Sequence, residues 1–266
     1  MKNRVAYSAL LLLVLSAALA WWMAPMNYAS QDREAISVPS MPQHWTGTDA
    51  LGRDRTVRVA AALLIELLGA TAAAALTTLI AGGFGLAAAF SPPASASVLI
   101  FISDVFLSLP WLFLLMMVRS TLPLTASPAR TAILTFLCLG ALGWPACARV
   151  IYRGAVAFRS ADWLIQGRAS GLRNWQLIRL HLLPHLRPLL LTQFLICIPV
   201  FIVAEANLGA LGLGIGEPLP SWGSMLLELD NSALLAQSHW VYLPIALLVL
   251  ILLLLESLTS EAELIA

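Results

Sequence analysis

Residues 63–90 read LLIELLGATAAAALTTLIAGGFGLAAAF, with Glu66 the one ionisable side chain in the run. An α-helix rises about 1.5 Å per residue, so roughly 20 apolar residues cross a hydrocarbon layer about 30 Å thick. This run does so with turns to spare. Five others share its character, at about 5–24, 98–118, 129–148, 186–207 and 240–258. Together they predict an all-α polytopic membrane protein of six transmembrane helices. The composition agrees, because 60% of the 266 residues are hydrophobic and only 11% are charged. Soluble domains carry about 25% charge, and so little cannot clothe a water-soluble globule of this length. The working division is a first helix with an external segment (1–58), a five-helix core (59–258) containing a cytoplasmic loop at 149–185, and a short tail (259–266).

The charged residues also exclude chemistry. Net charge is +1, so no basic field points to nucleic acid. Lys2 is the single lysine and follows no glycine-rich loop, which removes a Walker A nucleotide site from this chain. Cys138, Cys147 and Cys197 lie dispersed in apolar stretches, have no metal-ligand spacing, and read as small packing residues. His181 and His185 are four apart, but Pro184 lies between them and no acidic third ligand is near, which argues against zinc. Ser170, in Gly167-Arg-Ala-Ser-Gly171, is not a nucleophile elbow. No cofactor is expected on this chain.

Arginine placement gives the orientation. Between Arg149 and Arg187 lie seven arginines and one acid, Asp162, which marks that loop as cytoplasmic. Six spans then put both termini on the cytoplasmic side, and Lys2 and Arg4 agree. Ala18-Leu19-Ala20 looks like a signal-peptide cleavage site, but the apolar run continues through Trp21, Trp22 and Met23, which suit a membrane interface. The run therefore reads as an uncleaved span. Turns are marked by Ser91-Pro92-Pro93, by Pro123 and Pro128, and by Gly216, Pro218 and Pro220.

The arginine-rich loop from Asp162 to Pro184 reads as two short helices. The first ends near Ser170, where Gly171 can take the left-handed conformation that stops a helix. Asn174 can cap the second, with Trp175, Leu177, Ile178 and Leu182 as its apolar face. Pro184 breaks the chain before span five. Two readings stand: a rigid lever that moves both flanking spans, or an amphipathic segment lying on anionic lipid.

Here the chain resembles a known family. Gly171, nine residues, then His181-Leu182-Leu183-Pro184 is similar to the end of the "EAA" loop of bacterial ABC-importer permeases, and Arg168 and Trp175 fit the same pattern. The Glu-Ala-Ala positions hold Ile165, Gln166 and Gly167. Residues 44–54, HWTGTDALGRD, resemble the segment after the first span in the dipeptide/oligopeptide/nickel permeases of the DppC/OppC type. Residues 104–110, DVFLSLP, resemble their third-span entry. Residues 204–214, AEANLGALGLG, and 220–226, PSWGSML, resemble the end of their fifth span and the following outer loop. A Gly-Ala-Arg-Ile-Ser-Leu stretch before span two and a basic C-terminal tail are absent from this sequence.

The resemblance implies a permease subunit of an ATP-driven importer of short peptides, or of nickel or another small cationic solute, in the bacterial inner membrane. ATP and Mg would sit on a partner ATPase. A sister permease and an extracytoplasmic solute-binding protein would complete the machine within the lipid bilayer. The docking residues would be Arg168, Ser170, Gly171, Asn174, Trp175, Leu183 and Pro184.

At the outer face, in Gly47 to Asp54, Asp49 and Asp54 flank Arg53 and the glycines permit a tight turn, either as an Asp–Arg network bracing a lid or as a solvated loop. Trp222 belongs to the same face. Of the charges near apolar runs, Glu205 reads as the substrate-pathway candidate or as an inter-helix bond, and Asp104 as an N-cap of span three. Glycines 209, 212, 214 and 216 admit close backbone approach. A stand-alone secondary transporter or a polytopic membrane enzyme are the rival readings.

Overall fold

A computed structural model describes residues 2–24, 26–121, 127–230, 235 and 239–265, with the side chains of 2–4 and 261–265 outside the description. Pro123, expected in a turn, falls outside the described residues. Among those described there is no β-strand, only two isolated bridges. Five helical stretches are long and apolar enough to span a membrane: Val5–Met23, Arg55–Phe90, Pro128–Ser160, Asn174–Ala210 and His239–Ser260.

The expected third span is not a straight helix. It is α3 (Pro93–Ser108) followed by α4 (Trp111–Ser120), bent by 78° at Leu109-Pro110. Pro110 has no N–H for the helix ladder, and its ring holds Leu109 extended (φ −84°, ψ 135°). Asp104 is also not the cap of this span: it lies within α3 and pairs with Arg149 across 3.1 Å.

Helix α2 (Arg55–Phe90) begins eight residues before the apolar run, because Asp54 caps it by accepting the Val57 N–H at 3.1 Å. Its small residues (Ala61, Ala62, Ala70, Ala74, Ala81) are almost wholly buried, and the helix forms the axis of the bundle. Against it pack α1 (Lys2–Met23), α5 (Pro128–Leu142), α6 (Trp144–Ala157) and α9 (Leu183–Ala210). The Thr77 hydroxyl donates to the Gly140 carbonyl at 2.7 Å, and Ser103 to the Pro145 carbonyl at 3.1 Å. Such bonds tie helices together where lipid offers no partner. Helix α11 (Leu243–Ile265) packs on α9 and α1.

Between α6 and α9 lie a 3-10 turn (Phe158–Ser160), α7 (Asp162–Ala169) and α8 (Asn174–Leu177). Gly171 between them is left-handed, φ +80°, as its role predicts. Asn174 is not the cap but the first helical residue. Arg173 occupies the cap position, and its N–H donates to the Gln176 side chain at 2.9 Å. Nor does Pro184 end the helix. A π-turn over Ile178–Leu182, in which the Leu183 N–H bonds the Ile178 carbonyl, joins α8 to α9 without a break. The wider turn accommodates the missing proline N–H.

At the opposite end, residues 26–54 fold beside the segment joining α9 to α10 (Trp222–Leu226). The short helices at 158–182 and the 26–54 segment thus lie at opposite ends of the spans.

Candidate functional site

The segment from Phe158 to Leu182 is a packed body. Leu164, Leu177, Leu182 and Leu186 are completely buried beneath it. Trp163 stacks face to face on His185, ring centroids 4.3 Å apart and planes within 9°, with Phe158 against both. The histidines considered as ligands are therefore part of an aromatic hinge that fastens α7 to the start of α9. Gly167 faces Leu177 so closely that a Cβ would lie 2.6 Å from its Cδ2.

Of the expected apolar face, Leu177 and Leu182 are buried and Ile178 is half-buried, but Trp175 is 67% exposed. It sits on the outside because Leu177 and Leu182 already fill the space beneath. Arg168, Ser170, Gly171 and Asn174 are also exposed, Leu183 is half-buried and Pro184 exposed. Ile165, at the first Glu-Ala-Ala position, stands in solvent at 51%.

The clasp is built on two arginines and two acids. Asp49 accepts the backbone N–H groups of Leu51 and Arg53, each at 2.9 Å, and the Arg53 Nε at 2.6 Å. Arg53 reaches on to Glu217, Nη1 to Oε2 2.5 Å. Arg58, at 4% exposure, donates to Glu217 Oε1 at 3.0 Å and to the Pro218 carbonyl at 3.2 Å. Two cations face two anions, so little net charge is desolvated. Burial opposes the charge on Arg53, but Asp49 and Glu217 more than offset it and raise its pKa.

Asp54 takes no part in that network. It caps α2 and pairs with His44 Nδ1 at 2.8 Å. Arg55 meets Glu228 at 2.8 Å. Burial pushes the Glu228 carboxyl above the usual carboxylate range, and Arg55 offsets part of the effect.

The glycines divide by geometry. Gly209 packs on Gly223, where a Cβ would lie 2.6 Å from the Gly223 Cα, whereas Gly212 and Gly216 make no such approach. Gly47 and Gly52 are left-handed and buried within the 44–54 turn. Trp222 is fully buried and anchors the loop instead of presenting itself at the surface.

Glu205 is also fully buried. Its Oε1 accepts the Ile215 N–H at 3.3 Å, while its Oε2 and both oxygens of neighbouring Glu66 have no hydrogen-bond partner among the described residues. It does not line the groove of about 590 Å³ that runs between α4, α9 and α11 past Trp111, Asn207 and Glu256.

Sequence reasoning missed Arg58, Glu217 and Trp163. Arg58 and Glu217 are far apart in the chain, and nothing local reveals their pairing. Arg119 was missed for the same reason. It donates to the Leu213 and Gly214 carbonyls at 2.9 and 3.0 Å, tying α4 to the clasp loop.

Comparison with known proteins matches residues 80–259 to the family model described as "binding-protein-dependent transport system inner membrane component". The dipeptide transport system permease protein DppC of Bacillus subtilis is 27% identical over 242 residues, covering 90% of this chain and 73% of the relative. The oligopeptide transport system permease protein OppC of Haemophilus influenzae is 26% identical, covering 90% and 76%. The OppC protein of Mycobacterium tuberculosis is 28% identical over 256 residues, covering 95% and 86%.

Proposed function

The chain belongs to the family of binding-protein-dependent transport system inner membrane components, and from that membership we propose a division of labour between its two ends. It is a permease component of an ABC importer, multi-pass in the inner membrane, and not an enzyme of a known class. Its solute is a short peptide, as the names of its dipeptide and oligopeptide relatives suggest. ATP is hydrolysed on a separate subunit. The lever at 162–182 lies in the cytosol, as do both termini, and the clasp faces the other side. A sister permease completes the path, because this chain only partly encloses the groove between α4, α9 and α11.

One observation carries the lever's role. A body anchored through Leu164, Leu177, Leu182 and the Trp163–His185 stack presents Arg168, Ser170, Gly171 and Trp175 outward at the junction of two spans. A push on that face is transmitted and not absorbed, because packed interiors shift as units. Ile165 in place of a glutamate makes the face more apolar, and a matching ATPase groove would be apolar there too. Glu205, buried beneath the 211–222 loop, acts through that loop's seating and not as a wall of the path.

The test is reconstitution in liposomes with ATPase, sister permease and binding protein. Uptake of a radiolabelled dipeptide or tripeptide is expected with ATP and the full set, and not with any member omitted. Gly171→Val places a β-branched residue in the left-handed region, at a cost of about 1–2 kcal/mol. No atom lies within 4 Å of its Cβ position. The variant should fold, retain ATP hydrolysis and lose most uptake. Unchanged coupled uptake would refute the lever.

A further inference from the structure

Cys147 on α6 and Cys197 on α9 are 50 residues apart in sequence, yet their sulfurs lie 3.4 Å from each other. Both are buried from bulk solvent and free. Both also line a cavity of about 310 Å³ whose other walls are apolar and aromatic apart from Gln193. That volume is at the small end of cavities that hold ligands, roughly 300–1,000 Å³. The third cysteine, Cys138, is on α5 and does not line it.

We propose that Cys147 and Cys197 are a thiol pair that closes to a disulfide under a membrane-permeant two-electron oxidant, such as a fully substituted quinone. A disulfide S–S bond is about 2.05 Å, so the sulfurs must approach by about 1.4 Å. In the reaction both S–H bonds break and one S–S bond forms. The two protons and two electrons pass to the quinone, which leaves as the hydroquinone. The apolar cavity admits that class of oxidant and excludes charged ones such as glutathione disulfide.

The position gives the bond its consequence. The 50-residue loop it closes contains the whole lever, from the end of α6 through α7 and α8 into α9. A bond at its base fixes the distance between the two spans that carry the lever. The oxidised chain is a clamped lever; the reduced chain is free to move.

The experiment treats the full complex, in membrane vesicles, with decylubiquinone or diamide and then digests it for mass spectrometry. A link between the peptides bearing 147 and 197 is expected, present in Cys138→Ser, absent in Cys147→Ser and Cys197→Ala, and reversed by dithiothreitol. Thiols of Cys147 and Cys197 that remain open to maleimide after denaturation of the oxidised protein would overturn the proposal, as would a link through Cys138. A second arm rests on the permease reading: ATP-driven uptake is lost on oxidation, returns on reduction, and is insensitive in Cys147→Ser. A link that forms while uptake is unchanged overturns the clamp. The linkage arm needs no transport, so its result is separable from a failure of the permease reading.

Discussion

Glu228 shows how a single half-buried carboxyl can set a pH dependence. Burial disfavours its charged form and Arg55, 2.8 Å away, offsets part of the penalty, so its pKa in the folded protein lies above the ordinary value. The folded state then binds that proton more tightly than the unfolded state. The stability it contributes is present in acid and is lost as pH rises through the raised pKa. The thermal midpoint of the wild type should therefore decline more steeply than that of Glu228→Gln as pH rises above the ordinary carboxylate range. Differential scanning fluorimetry in detergent reads the difference, and parallel curves would remove Glu228 as its cause. The clasp behind it was only half legible. Asp49, Gly52 and Arg53 are close in sequence, and their turn chemistry can be read there. Their link to Glu217 and Arg58 depends on a second loop returning to the same place.

The lever's stiffness depends on how its elements join. The sequence shows two short helices and the glycine between them, because left-handed backbone and apolar spacing are local properties. It does not show that Pro184 lies inside a continuous helix, since a proline's effect depends on whether neighbouring turns can widen to receive it. Nor does it show that Trp163 lies flat on His185, a contact between two different helices. Such a stack contributes about 0.5–1.5 kcal/mol beyond its buried area. Trp163→Ala should therefore raise amide hydrogen exchange across 162–170 by about ten-fold, the equivalent of about 1.4 kcal/mol. It should leave exchange in α2 unchanged. Equal exchange in the two proteins would mean α7 is held by Leu164 alone.

At the scale of the whole molecule the proposed orientation makes a direct prediction. Single cysteines placed at Arg173 and at Trp45, both exposed, in a chain otherwise free of cysteine should label from opposite sides of the membrane. A membrane-impermeant maleimide should reach position 45 in intact cells and position 173 only in inverted vesicles. Labelling of both from one side would overturn the six-crossing path.

The long apolar helices are what the sequence determines by itself. A stretch of apolar residues has no alternative to helix in lipid, because each backbone N–H and C=O must be satisfied within its own segment. The long apolar helices, the arginine-rich loop and the turn at Gly171 follow from composition, length and local backbone preference. Tertiary structure alone decided the burial of Trp222 and Glu205, the four-charge clasp and the meeting of Cys147 with Cys197. Each of these depends on which helix faces which, and packing sets that by shape across tens of residues where no local pattern carries the information.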